Sequence, residues 1–539
     1  MRKNRLAFAL LCALPFLLVG CRPKAPAIVA IHPQMGLVGE LLTIHGSSFG
    51  AERGASYVSI AGAQPASTAY ELWSDDRIVM RVPNFGDAGL VVVSVEGRSS
   101  NGALFVNAAA VPRPAESGSI APAVVSVAPQ SGAVGALVTI VGRGFGNQRG
   151  SGAVFFSSDS IPGARGLNFI EASEAEFGYE LWSDQEIRAR VPDGATSGHI
   201  EVRTARGVSL PIPFAVSEGP GTRVFGDRQT FIIAQSVSVE AREAESPNSL
   251  SLWVPAPALS ASQRGVELLA SSPAPFLRNR SGTALFRLEN MEAGSSSGLS
   301  LYWAVDSHAI SVSARPQAVS SAPSPLREAF TAPCARVASD DPRAAELAAA
   351  IFSGEANHYL RARLAYDWIL DNMAWEERFE GDIFDAAEDL RADALSASLL
   401  YVALLRASGV PSRPVAGVLA RDRRTLPHHW AEFWIDGLGW IPVDPAMGAF
   451  ALPDEFRFVP EMAEWTGESP EAREFYFGSV DSFRIAFSRG VEDIPRSDPR
   501  GRAVAHERSY ALQTLWEEAS GGLESYSSVW GAIIIEDVR

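Results

Sequence analysis

With 539 residues the chain is long enough for about three to five domains at roughly 100–200 residues each. Its 47% apolar and 20% charged residues are those of globular protein and exclude a disordered chain. The formal net charge of -16 repels phosphate, and no basic, aromatic-interleaved stripe offsets it, so no nucleic-acid partner is expected.

The chain opens on a basic stretch, Met1-Arg2-Lys3-Asn4-Arg5, followed by a nearly uninterrupted apolar run from Leu6 to Val19. That is the pattern of a secretory signal, expected over residues 1–20. It ends in Leu18-Val19-Gly20-Cys21, with polar Arg22-Pro23-Lys24 beyond, and this resembles a bacterial lipobox. The resemblance implies that the Cys21 thiol takes a diacylglycerol and becomes the new N-terminus, tethering the protein to a membrane by lipid. A plain signal peptide or an N-terminal membrane anchor is the alternative. No later stretch approaches the ~20 apolar residues that span a bilayer. Of the three cysteines, Cys12 leaves with the signal and Cys21 carries the lipid, so Cys334 is the one thiol left. An internal disulfide and a Cys-x-x-Cys metal site are thereby excluded.

The next third of the chain repeats itself. Pro33, Gly36, Gly39, Thr43, Gly46, Phe49 and Gly50 recur at one constant offset as Pro129, Gly132, Gly135, Thr139, Gly142, Phe145 and Gly146. Tyr70-Glu71-Leu72-Trp73-Ser74-Asp75 recurs word for word as Tyr179 to Asp184, but at a larger offset, so the second copy holds an insertion around Ser157–Glu176. Short β-rich runs such as Leu41-Leu42-Thr43-Ile44 alternate with Gly/Pro turns, the pattern of a small β-sandwich. Ile31-His32-Pro33, Gly36, Gly39, Leu42 to Gly46 and Phe49-Gly50 resemble an IPT/TIG domain, an immunoglobulin-like module, over residues 27–107 and again over 122–217. The glycines are read as turn formers at positive φ. Pro112 to Pro122 is a linker.

A third β-sandwich is expected over 224–316, where Leu250, Leu252 and Val254 alternate onto one face. It is similar to the sandwich that often precedes bacterial transglutaminase-like domains. After the linker Ala318 to Pro325 the texture turns helical. Ala344 to Phe352 and Tyr359 to Met373 carry apolar residues at helical spacing, with Leu360, Leu364, Trp368 and Ile369 on one face. Ala394 to Ala407 is apolar nearly all round and should be buried. Strands follow around Pro414–Val418, Trp430–Ile435 and Trp440–Val443, giving helices and then an antiparallel sheet, an α+β domain. The expected fold is multidomain: two immunoglobulin-like sandwiches, a third sandwich, an α+β core over 327–450 and a C-terminal extension of that core over 451–539.

Leu399 to Arg413, His428-His429-Trp430-Ala431-Glu432-Phe433 and Gly439-Trp440-Ile441-Pro442-Val443-Asp444-Pro445 resemble, in order and spacing, the transglutaminase-like core of the papain-like cysteine enzymes. The resemblance implies a Cys nucleophile at the start of the buried helix, a His to take its proton and an Asp to orient the His. His428 and Asp444 fall on the His and Asp positions, but the cysteine position holds Ala394, and a methyl group cannot ionise or form a thioester. Ser398 lies one turn along the same face, whereas Ser396 points elsewhere. Cys334 lies far upstream and reads as an apolar filler. His428, His429 and Glu432 do not read as metal ligands, since neighbours on a strand face opposite sides. No cofactor and no metal are expected.

The expectation is thus a cell-envelope lipoprotein, outer membrane ahead of inner, that binds a protein or peptide of the envelope through a transglutaminase-like domain with relic His428 and Asp444. An enzyme acting on amide bonds through Cys334 or another nucleophile, and a structural spacer, stand as alternatives.

Overall fold

The computed structural model describes residues 25–539 apart from 87, 109–120, 159–168, 276, 280–281, 458–469, 492–493, 495 and 498–500. The signal expected at 1–20, the lipidation site Cys21 and most of the linker Pro112–Pro122 lie outside the described residues. The chain divides into two compact units, one ending at Val106 and the other starting at Asn107.

The first unit is a β-sandwich. One sheet runs Ala27–His32, Leu41–Ser47, Arg77–Arg81, Tyr70–Trp73; the other runs Met35–Gly36, Ala103–Asn107, Ala88–Val95, Tyr57–Ile60. Leu42 and Ile44, Val58 and Ile60, Ile78 and Met80, Val91 and Val93 each stand two residues apart and fill the space between the sheets. The second unit begins with a sandwich of the same strand order, from Ala123–Ala128 to Ile212–Val216.

The shared word has a structural reason. The Tyr70 hydroxyl accepts from the Val58 N–H (2.8 Å), the Trp73 indole donates to the Phe49 carbonyl (3.0 Å), and Asp75 accepts from the Gly50 N–H (3.0 Å). Tyr179, Trp182 and Asp184 make the same bonds to Val154, Phe145 and Gly146. The glycines divide into two kinds. Gly39 and Gly135 sit at φ +86°, as a turn requires, whereas Gly46 and Gly142 lie where a Cβ would meet a carbonyl oxygen 2.1 or 2.2 Å away.

The third β-sandwich is built on one strand of 35 residues, Gly221–Pro255. Ser296–Ala314 and Thr283–Glu289 pair along one side of it. The other side is covered by the end of the chain, Ala511–Trp530 and Ile534–Val538. The segment expected as an extension of the α+β core therefore divides. Arg484–Arg489 adds a strand to the core sheet, while residues 502–538 return to the third sandwich, because so long a strand has a second edge to satisfy.

In the α+β core, helices Pro342–Phe352, His358–Asn372 and Ala394–Ala407 pack on an antiparallel sheet of order Gly439–Val443, Arg424–Ile435, Ser412–Arg421, Arg484–Arg489. The last helix is buried on nearly all sides, from Leu400 to Leu405 without exposure. His358–Asn372 departs from the face expected for it. Ala362, Ala365, Tyr366 and Ile369 are buried and Leu364 is exposed, since small alanines let the helix approach its neighbours closely. The far face of the core sheet, Val418, Ala420, Ile485 and Phe487, shares one apolar cluster with Phe231, Val237 and Leu252 of the third sandwich. Among the described residues no helix is long and apolar enough to cross a membrane.

Candidate functional site

Ala394 is the first residue of the buried helix. Asp393 caps that helix: its carboxylate accepts from the Ser396 N–H and hydroxyl, both at 2.8 Å, and from the Phe379 N–H at 3.2 Å. The Ser398 hydroxyl donates to the Ala394 carbonyl (2.7 Å), so both nearby serines are engaged in the first turn.

His428 and Asp444 belong to one hairpin. The strand Arg424–Ile435 pairs with Gly439–Val443 in a register that sets Ala431 opposite Val443, so Asp444 lies just beyond the end of the ladder, near His428. His428 Nε2 and Asp444 Oδ2 are 2.8 Å apart and both side chains are fully buried. Arg484 donates to Asp444 Oδ2 from the opposite edge strand of the same sheet (2.9 Å), and the Met447 N–H donates to Oδ1 (3.0 Å). Burial works to raise the Asp444 pKa, but His428, Arg484 and Met447 together hold it below the ordinary carboxylate value. Asp444 is therefore ionised and can only accept, which makes His428 Nε2 the donor. A neutral ring with Nε2 donating carries its lone pair on Nδ1, which is buried and makes no hydrogen bond among the described residues. Neighbouring His429 is pushed down to about 3, by burial first and then by His428, and stays neutral near pH 7.

Arg484 also pairs with buried Asp481, whose Oδ2 accepts from the Tyr476 hydroxyl (3.3 Å). The sequence places these three supporting groups in a strand-rich extension of the core and gives them no role at the site. They lie 32 to 40 residues beyond Asp444, and no local periodicity ties them to it.

Cys334 lies elsewhere. Its Sγ is 3.5 Å from Arg406 Nη1, and Arg406 is in the last turn of the same helix, about 18 Å along the axis from Ala394 at about 1.5 Å per residue. Glu432 is held by Arg413 (2.9 Å) and Arg489 (2.7 Å). Burial opposes its ionisation, but the two guanidiniums keep its pKa below the usual value.

That charge cluster is also where the second sandwich docks. Glu176 pairs with Arg413 (3.1 Å), and buried Asp193 pairs with Arg223. Arg223 Nη2 donates to the carbonyls of Leu438 (2.9 Å) and Trp440 (2.8 Å) at the hairpin turn. The Gly437 N–H donates to the Val134 carbonyl (3.0 Å), and Val134 packs with Trp434 and Trp440. A signal for this docking was present in the repeat. Counting from the shared words, Glu176 and Asp193 stand where the first copy has Ser67 and Asn84.

Residues 345–445 match the model of the transglutaminase-like superfamily, and residues 26–108 that of the IPT/TIG domain. No curated protein matches the chain. Among solved structures, a protein from Cytophaga hutchinsonii described as a candidate cysteine protease is 15% identical, with 59% of this chain and 92% of that one covered and a TM-score of 0.37. SGBP-B from a xyloglucan utilization locus of Bacteroides uniformis is 13% identical over 53% of this chain and 99% of its own, at a TM-score of 0.14. The surface glycan-binding protein PbSGBP-B of Prevotella bryantii is 9% identical over 53% and 98%, at 0.16. Likenesses this distant bear on neither activity nor ligand. The chain carries an IPT/TIG domain and a transglutaminase-like domain.

Proposed function

We propose that this is a lipid-anchored protein of the cell envelope whose transglutaminase-like domain binds a protein or peptide and does not catalyse. One observation carries the reading: the His428–Asp444 pair, with Arg484 behind it, is complete, while the helix that should supply a nucleophile begins with Ala394. An acyl transfer of the cysteine type needs a thiolate beside the imidazole, and a methyl cannot serve. Full burial of His428 argues the same way, since a working general base must come within hydrogen-bond reach of substrate. Cys334 does not stand in, being at the far end of the helix.

The anchor rests on the sequence: the basic start, the apolar run and Cys21 at its end. Replacing Cys21 with Ser is expected to move the protein from the detergent phase to the aqueous phase, and mass spectrometry of the wild-type N-terminal peptide to show a diacylglycerol. We place it in the outer membrane, because Arg22 follows Cys21 rather than an Asp that retains some lipoproteins at the inner one.

The catalytic question has a direct test. Residues 22–539 are assayed for amine incorporation and peptide hydrolysis with and without a thiol alkylator. No thiol-sensitive turnover is expected. Turnover that disappears in Cys334→Ala overturns the non-catalytic reading.

A further inference from the structure

The two immunoglobulin-like sandwiches share a turn, and in the second sandwich that turn is filled. In the second sandwich the turn Ala133-Val134-Gly135 receives the hairpin tip Asp436–Gly439. Val134 and Gly437 form an antiparallel bridge, and Val134 is 9% exposed. A Cβ on Gly135 would stand 3.2 Å from the Trp434 ring.

The first sandwich builds the same turn from Leu37-Val38-Gly39. Gly39 has the φ of Gly135, +86°. The Gly39 N–H donates to Val82 as that of Gly135 does to Val191, and Arg81 donates to the Gly39 carbonyl (3.1 Å) as Arg190 does to Gly135 (3.2 Å). The main chain is thus set in the same shape, but Val38 is 42% exposed and a Cβ on Gly39 would meet nothing within 4 Å. The Val38 carbonyl, whose counterpart accepts from Gly437, accepts no hydrogen bond among the described residues. Met35 (49%) and Leu41 (44%), on the strands that flank the turn in sequence, are exposed as well.

We propose that this face of the first sandwich docks a β-turn of another protein, one that carries aromatic side chains at its tip and offers a main-chain N–H to the Val38 carbonyl. The filled copy shows what such a turn holds: a backbone bridge under Trp434 and Trp440. The two copies differ in the charge they offer such a turn: Arg223, Arg413 and Arg489 beside the filled copy are met by Asp193 and Glu176, and the first sandwich has Asn84 and Ser67 at those positions. The same change says that the occupant brings no buried arginine, for no acid waits to pair with it.

The test uses residues 22–539, in which the second sandwich is already filled, and a fluorescent, head-to-tail cyclised peptide of residues 430–443 as the aromatic turn. One saturable site is expected. Val38→Asp should weaken binding at least about tenfold, a loss of about 1.4 kcal/mol. Val29→Ser, which trims an exposed residue on another strand, should leave it unchanged, and a peptide lacking both tip tryptophans should not bind. Absence of saturable binding, or equal affinity in Val38→Asp, overturns the proposal. Self-association of the protein that Val38→Asp abolishes would make a second copy the occupant and overturn it too.

Discussion

Arg484 reaches Asp444 and Asp481 at once, and all three side chains are buried. One guanidinium thus balances two carboxylates behind His428. Burial disfavours the charged guanidinium, yet Asp481 and Asp444 together raise its pKa, so the charge stays. Removing it leaves two buried acids without the cation they share. Arg484→Met is expected to cost about 3–5 kcal/mol, measured as a shift of the urea midpoint. Met keeps an apolar stem and removes only the charged end, so a wild-type midpoint would mean that the array contributes nothing to the fold.

The docking of the second sandwich makes a local prediction. Asp193 is buried, and burial raises its pKa against the pull of Arg223. In Asp193→Ala the Arg223 guanidinium loses its anion beside the Leu438 and Trp440 carbonyls. Hydrogen exchange at Gly437 and Leu438 should then rise at least about tenfold, with little change at the helix Ala394–Ala407. Exchange that rises uniformly would show a loss of global stability instead of a loosened dock.

How much of this was legible in the sequence follows from the range of each interaction. The repeat could be read because Tyr70–Asp75 and Tyr179–Asp184 make identical local bonds to identical turns. The helix Ala394–Ala407 could be read because burial on all sides leaves no polar stripe. The nearness of His428 and Asp444 follows from a short turn, which admits few registers. What could not be read acts at long range. The pairing of Ala511–Trp530 with Gly221–Pro255 is carried by main-chain bonds that no residue type announces. The buried face of His358–Asn372 is marked by Ala362 and Ala365, which a hydrophobicity pattern underweights against Leu364.

Acid should destabilise the protein in a defined window. His308 and His358 are pushed down to about 4, each by burial first and then by nearby arginines, and His429 to about 3. The unfolded chain takes up these protons near the ordinary 6.5, and the native state does not. A depressed folded pKa leaves the stability intact above 6.5 and removes it as pH falls toward 4 and 3. Urea midpoints should therefore drop between pH 7 and pH 5, and His429→Asn should make the drop shallower. Equal midpoints at the two pH values would contradict these directions.

Placing a thiol at residue 394 is the sharpest probe of the His428–Asp444 array. Ala394 is only partly buried and begins its helix, so Ala394→Cys adds one sulfur without displacing a core side chain. The change in stability should stay within about 1 kcal/mol, as for a partly exposed position. The new thiol would stand in the first turn, where the helix dipole favours a thiolate, although Asp393 already faces that end. The decisive readout is therefore its alkylation rate against pH, followed by mass spectrometry in a Cys334→Ala background. If His428 Nδ1 takes the thiol proton, alkylation persists well below pH 8, and His428→Ala returns it to the profile of a free thiol. A profile indifferent to His428 would show that the pair holds the hairpin together and has no geometric memory of a nucleophile.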